Sequence, residues 1–115
     1  MKLMTKEVAA RIPTLYSQEH NSNPTVQAKF FTPWTNWTWY VIEGEKTSEW
    51  VEGKQQKVAD WLFFGYVVGH ECELGYFTLN ELASVRGPAG LKIERDMYFK
   101  PTPLSDIKAK HLDEK

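Results

Sequence analysis

A single cysteine, Cys72, among 115 residues excludes an internal disulfide and any cysteine-based zinc site, and it fits a reducing compartment. Long apolar runs are missing as well. The longest, Leu62 to Val68 even when Gly65 is counted, is far short of the roughly 20 residues that cross a bilayer. The amino terminus turns polar at Thr5-Lys6-Glu7, so no secretory leader is expected. Without an export signal, Asn36-Trp37-Thr38 is read as a chance match to the glycosylation pattern. Charge of one sign is lacking too: 14 Lys and Arg against 15 Asp and Glu give a net charge of -1. That balance argues against both a protein that coats DNA and an acidic mimic of it. No Gly-x-Gly-x-x-Gly, P-loop or Gly-x-Ser-x-Gly is present, so no cofactor is implied.

What remains is a chain of single-domain length, 42% hydrophobic and 25% charged, apolar enough to fold without staples. Its unusual property is an aromatic content of 14%. A single cytoplasmic domain over residues 1–115 is the expectation.

Thr5 caps a short helix that Pro13 stops, with Val8 and Ile12 on one face. Residues 14–25, rich in Ser, Asn and Pro, read as loop. Val26 to Phe30 alternates as a half-buried strand does, and Trp37 to Ile42 is β-branched and aromatic, a second strand joined to the first as a hairpin. Trp37, Trp39 and Val41 then share one face, and Thr38, Tyr40 and Ile42 the other. Glu43 to Lys57 carries four acidic and three basic residues and reads as a variable, solvent-exposed charged excursion, or a β-ribbon turning near Glu52-Gly53, with Trp50 folding back on the body. Trp61 to Val68 is a covered strand, and Leu74 to Phe77 pairs back on it. Thr78-Leu79-Asn80-Glu81 is a capping box for a helix with Leu79, Leu82 and Val85 as its stripe, ended by Gly87-Pro88. Leu91 to Phe99 is extended or irregular, anchored by Ile93 and Met97. Thr102-Pro103 starts a last helix carrying Leu104, Ile107, His111 and Leu112. The expected fold is α+β: an antiparallel β-meander of about four strands with short helices packed on one face.

Phe30, Phe31, Trp34, Trp37, Trp39 and Tyr40 fall within eleven residues. Either helices cover both sheet faces and every ring is core, or some rings are anchors for a protein partner or stacking platforms for single-stranded nucleic acid. In the second reading Trp34, Trp37 and Trp39 supply contact area, and Arg86 and Arg95 orient the partner. Phe64-Gly65-Tyr66-Val67 matches the middle of an RNA-recognition-motif signature, but Leu62, Phe63 and Gly69 break the pattern around it. Catalysis, if any, falls to carboxylates. Glu71 with Glu73, and Glu94 with Asp96, are pairs of the kind that hold a divalent cation in a metal-dependent hydrolase of nucleic acid. Ion pairing with Arg86 and Arg95 explains them more simply, so no metal is expected. Glu43-Gly44-Glu45-Lys46 holds a Glu-x-Lys fragment of nuclease sites without the Pro-Asp that should precede it. His70-Glu71-Cys72 lacks the downstream Pro-Cys-x-x-Cys of a zinc deaminase.

Leu3 to Glu7, Lys29-Phe30-Phe31-Thr32-Pro33, Asn36 to Tyr40, Phe63 to Val67, Glu73 to Phe77 and Gly90 to Asp96 together resemble one small bacterial family of unknown function. Its members are free-standing domains carried on plasmids, phages and integrated elements. The resemblance implies no catalytic residues. It implies an accessory role for a mobile element, inhibition of host defence included. A non-enzymatic binding protein is therefore the first expectation, the carboxylate hydrolase the alternative, and a structural homodimer a third.

Overall fold

A computed structural model describes residues 2–51 and 56–112, apart from the side chains of 49–51 and 56–58. The element order is α1 (Lys6–Arg11), β1 (Thr25–Val26), β2 (Ala28–Phe31), β3 (Thr38–Val51), β4 (Gln56–Val68), β5 (Cys72–Thr78), α2 (Leu79–Ser84), β6 (Glu94–Arg95), β7 (Thr102–Pro103) and α3 (Leu104–Lys110). A 3-10 turn at Pro88–Gly90 lies between α2 and β6.

The architecture is mostly β. A five-stranded antiparallel sheet runs in the order β5-β4-β3-β2-β6, and β1 pairs with β7 in a separate two-stranded sheet. This corrects the expectation of about four strands with helices on one face, for three physical reasons. First, β6 and β7 are two residues each and show no periodicity; Glu94 and Arg95 become a strand only because Phe31 and Phe30 lie opposite them. Second, the expected first strand is two strands. It breaks at Gln27, whose N–H reaches Val41 O at 2.8 Å, so Val26 joins one core cluster while Ala28 and Phe30 join the other. Third, the helices divide between the two faces.

Val8 and Ile12 of the first helical segment and Leu82 of α2 pack with Phe30, Val41, Phe63, Phe77 and Ile93 on one face. Leu104 and Ile107 of α3 pack with Val26, Tyr40, Ile42, Tyr66 and Val68 on the other. Alternation along β3 produces this split: Trp39 and Val41 point one way, Tyr40 and Ile42 the other. Tyr40, fully buried, hydrogen-bonds through its hydroxyl to His111 Nε2 at 2.6 Å and so ties the end of α3 to the central strand.

Residues 43–51 are strand, part of β3, whose register with β4 continues to Val51 opposite Gln56. Beyond the buried Glu43 and Gly44 the strand turns polar, with Glu45, Lys46 and Ser48 exposed, so it reads as loop in sequence. The turn expected at Glu52-Gly53 and the packing expected of Trp50 lie outside the described residues. Pro103 stands at the cap position of α3 and belongs to β7, so the helix starts at Leu104. Met97 is 60% exposed, leaving Ile93 as the buried anchor of its segment.

Both expected caps form. Thr5 Oγ1 accepts from Val8 N–H at 3.2 Å. Thr78 Oγ1 accepts from Glu81 N–H at 3.1 Å and donates to the Glu81 carboxylate at 3.0 Å. With only six residues, α2 depends on that cap more than a long helix would. Thr78→Ala is expected to lower stability by about 0.5–2 kcal/mol. The midpoint of urea unfolding checks this; an unchanged midpoint contradicts it.

Candidate functional site

The tryptophans expected as anchors face their own protein. Trp34 is half-buried against the α1–α2 core, and its indole lies so close over Gly87 that a Cβ there would sit 2.5 Å from the ring. Trp37 covers Gly69 in the same way, meets His70 edge-on at 5.5 Å, and lies 5.9 Å from Trp39 between ring centres. Trp39 packs on the core. Arg86 is exposed, yet its guanidinium turns back to the Ala83 and Val85 carbonyls at 2.6 and 3.0 Å. Arg95 lies on β6, opposite Phe30. Trp34 thus stands beside the segment of Arg86, Trp37 beside Trp39, and Arg95 in register with Phe30 and Trp39.

The carboxylates are divided as well. Glu71 and Glu73 are exposed at the β5 edge; Glu94 and Asp96 belong to the β6 edge, four strands away, roughly 19 Å at ordinary strand spacing. Asp96 accepts from Tyr98 N–H at 2.9 Å and faces Lys29 at 3.9 Å. Among the described residues no group of three or more His, Cys, Asp or Glu side chains converges as a metal site would require. The four acids expected of a hydrolase are thus not brought together.

What the fold does assemble lies on the α3 side of the sheet. The register of β3 against β4 shifts between Val41 and Glu43, a bulge that sets Ile42 and Glu43 on the same side. Glu43 is 4% exposed, and its carboxylate accepts two backbone bonds, from Tyr16 N–H at 3.0 Å and Gln18 N–H at 2.7 Å. Tyr16 has a left-handed backbone (φ 67°), and Gly44 N–H donates to Pro13 O at 2.9 Å. One buried carboxyl group thus holds the 14–24 loop over the sheet.

Beneath that loop is a cavity of about 400 Å³. Ile42, Phe64, Leu74 and Tyr76 form its apolar floor, Leu104 and Lys108 of α3 one wall, and the loop, with Tyr16, Gln18 and Glu19, the other. Phe64 and Tyr76 sit opposite each other on paired strands, ring centres 5.0 Å apart. A hydrogen bond with Tyr16 pushes the Tyr76 phenol above the ordinary tyrosine value, so it stays a neutral donor across the physiological range. Leu74 and Tyr76 are 46% and 53% exposed. A second depression of about 310 Å³, lined by Tyr66, Cys72, Glu73, Leu112 and His111, shares Leu74 and Lys108 with the first, so the two form a groove between α3 and β5. Burial, followed by a hydrogen bond with Cys72, raises the Tyr66 phenol.

Sequence reasoning missed this groove. Its one signal is the alternation Leu74-Gly75-Tyr76, two apolar residues a strand period apart on an element with little to cover it.

The family model described as a protein of unknown function (DUF2958) matches residues 3–111. The chain belongs to this family. No curated protein and no solved structure matches it. The name DUF2958 carries no activity, so the site of this DUF2958 protein rests on its own geometry. No helix among its described residues is long and apolar enough to cross a membrane.

Two outcomes follow. Glu43→Ala, which leaves two backbone donors without their acceptor, is expected to cost about 2–4 kcal/mol in chemical denaturation. Gly87→Ala, which drives a methyl group into Trp34, is expected to cost about 1–3 kcal/mol. Thermal unfolding unaffected by Gly87→Ala would show that the indole moves aside without loss.

Proposed function

We propose that this DUF2958 protein is a non-enzymatic binding protein that receives a protein partner in the groove between α3 and β5. The observation that carries the reading is the pair Leu74 and Tyr76. Both are large and about half exposed, and they stand side by side over a cavity of about 400 Å³. Apolar floors with a few placed polar groups are the usual form of a recognition site.

Charge favours protein over single-stranded nucleic acid. Glu19, Glu71 and Glu73 are exposed around the groove, and Lys108, placed 5.8 Å over the Tyr66 ring, is the lysine of its wall. Phosphates prefer the opposite balance. The setting is part of the proposal and rests on the family resemblance: an accessory protein of a mobile element, working in the cytoplasm, with inhibition of host defence among its roles.

The test compares capture from bacterial lysate by the natural protein and by the double variant Leu74→Ser/Tyr76→Ser. The expected result is a specific protein held by the first and weakened about 30-fold in the second, with melting barely changed. Labelled single-stranded oligonucleotides should give no saturable binding. Tight, salt-dependent oligonucleotide binding would reverse the choice of partner.

A further inference from the structure

The two edges of the main sheet are not alike. At one, β6 is only two residues long. At the other, β5 runs seven residues, Cys72–Thr78, and pairs with β4 alone among the described strands. In an antiparallel strand every second residue turns its N–H and C=O away from its neighbour, so β5 presents an outward row of backbone donors and acceptors. Short length, proline and bulges are the usual means of blunting such an edge. Its sequence, Cys-Glu-Leu-Gly-Tyr-Phe-Thr, holds no proline, and its register with β4 is unbroken from Cys72 to Thr78.

We infer that the partner binds by adding a strand to β5, and that this strand alternates apolar with basic side chains. The inference rests on the groove reading above and specifies its partner. On the α3 side, an added strand sets its side chains beside Leu74 and Tyr76, within cross-strand contact distance and over the cavity floor. Glu73 and Gly75 alternate with that pair along β5; Glu73 pairs in register with Val67 of the other core and, at the strand's edge, also borders the second depression. Nothing lies within 4 Å of where a Gly75 Cβ would be, which leaves room for a long aliphatic stem. Glu73 is exposed at the end of that space and Glu71 just before the strand, so the matching head group is a lysine or arginine. Apolar groups on one face and cations on the other are the complement of this edge.

A second copy of the chain does not supply that complement. β5 has no lysine or arginine, so pairing two β5 strands about Gly75 sets Glu73 opposite Phe77 and leaves the carboxylates of both copies unanswered. Symmetric pairing of β5 with itself thus fails to answer the edge, and the added strand is assigned to another protein.

The probe is a phage-displayed library of random peptides selected on the full-length protein, followed by synthesis of the enriched peptides with and without N-methylation of alternate amides. Affinities are read by fluorescence anisotropy. The expected peptides alternate apolar and basic residues. Methylation of the amides in the bonding phase should weaken them about tenfold or more, because strand addition depends on main-chain bonds. Glu73→Lys should weaken them by a similar factor and favour glutamate in place of their basic residues. Leu74→Ser/Tyr76→Ser should do so as well, with folding checked by circular dichroism. Peptides that need Leu74 and Tyr76 but tolerate methylation in either phase would overturn strand addition and leave the groove reading standing. Enrichment of no peptide, or of peptides indifferent to Leu74 and Tyr76, would overturn both. A dimer in sedimentation that Glu73→Lys or Leu74→Ser/Tyr76→Ser dissociates would assign the edge to a second copy instead.

Discussion

Burial of β3 on both faces is the constraint from which the rest of the protein follows. A central strand that sends Trp39 and Val41 to one side and Tyr40 and Ile42 to the other cannot be stable with a single layer of cover. The chain answers with the first two helices beneath and α3 above, and the Tyr40–His111 bond fixes the upper layer to the strand itself. Hydrogen bonding the hydroxyl of a fully buried tyrosine is what allows so large a polar side chain at the centre of the sheet.

The upper layer is incomplete, and that incompleteness makes the groove. With seven residues, α3 is about 10 Å long, too short to cover the strands beneath it. The uncovered part receives the 14–24 loop instead. A loop has little apolar surface to hold it down, so the attachment is electrostatic, through a glutamate that the β3 bulge turns inward. The same irregularity that disturbs strand pairing thus determines where the cavity lies.

Much of the local structure was legible in the sequence, because it depends on short-range chemistry. The Thr5 and Thr78 caps, the stop at Pro13 and the division of side chains along β3 follow from spacing and hydrogen-bonding capacity. Long-range choices were not legible. Leu79, Leu82 and Val85 have the same helical spacing as Leu104 and Ile107, and periodicity does not say which sheet face a stripe will meet. Two-residue strands such as β6 exist only as partners. The tryptophans were conspicuous as residue types, but nothing in the spacing showed that glycines at 69 and 87 place backbone directly beneath two of them. The groove residues are ordinary in composition; their meaning lies in exposure, which alternation alone does not reveal.

The placement of the indoles has an optical consequence. Trp34, Trp39 and Trp61 pack against the lower core, and Trp37 lies beside Trp39, while the described surface of the groove is lined by tyrosines and a phenylalanine. Emission from these four tryptophans therefore reports on the α1–α2 layer, with the sheet standing between it and the groove. A molecule that settled over Tyr16 and Tyr76 would leave this light unchanged unless the sheet itself shifted. These four indoles thus mark one side of the sheet, while the phenols of Tyr16, Tyr66 and Tyr76 mark the groove on the other.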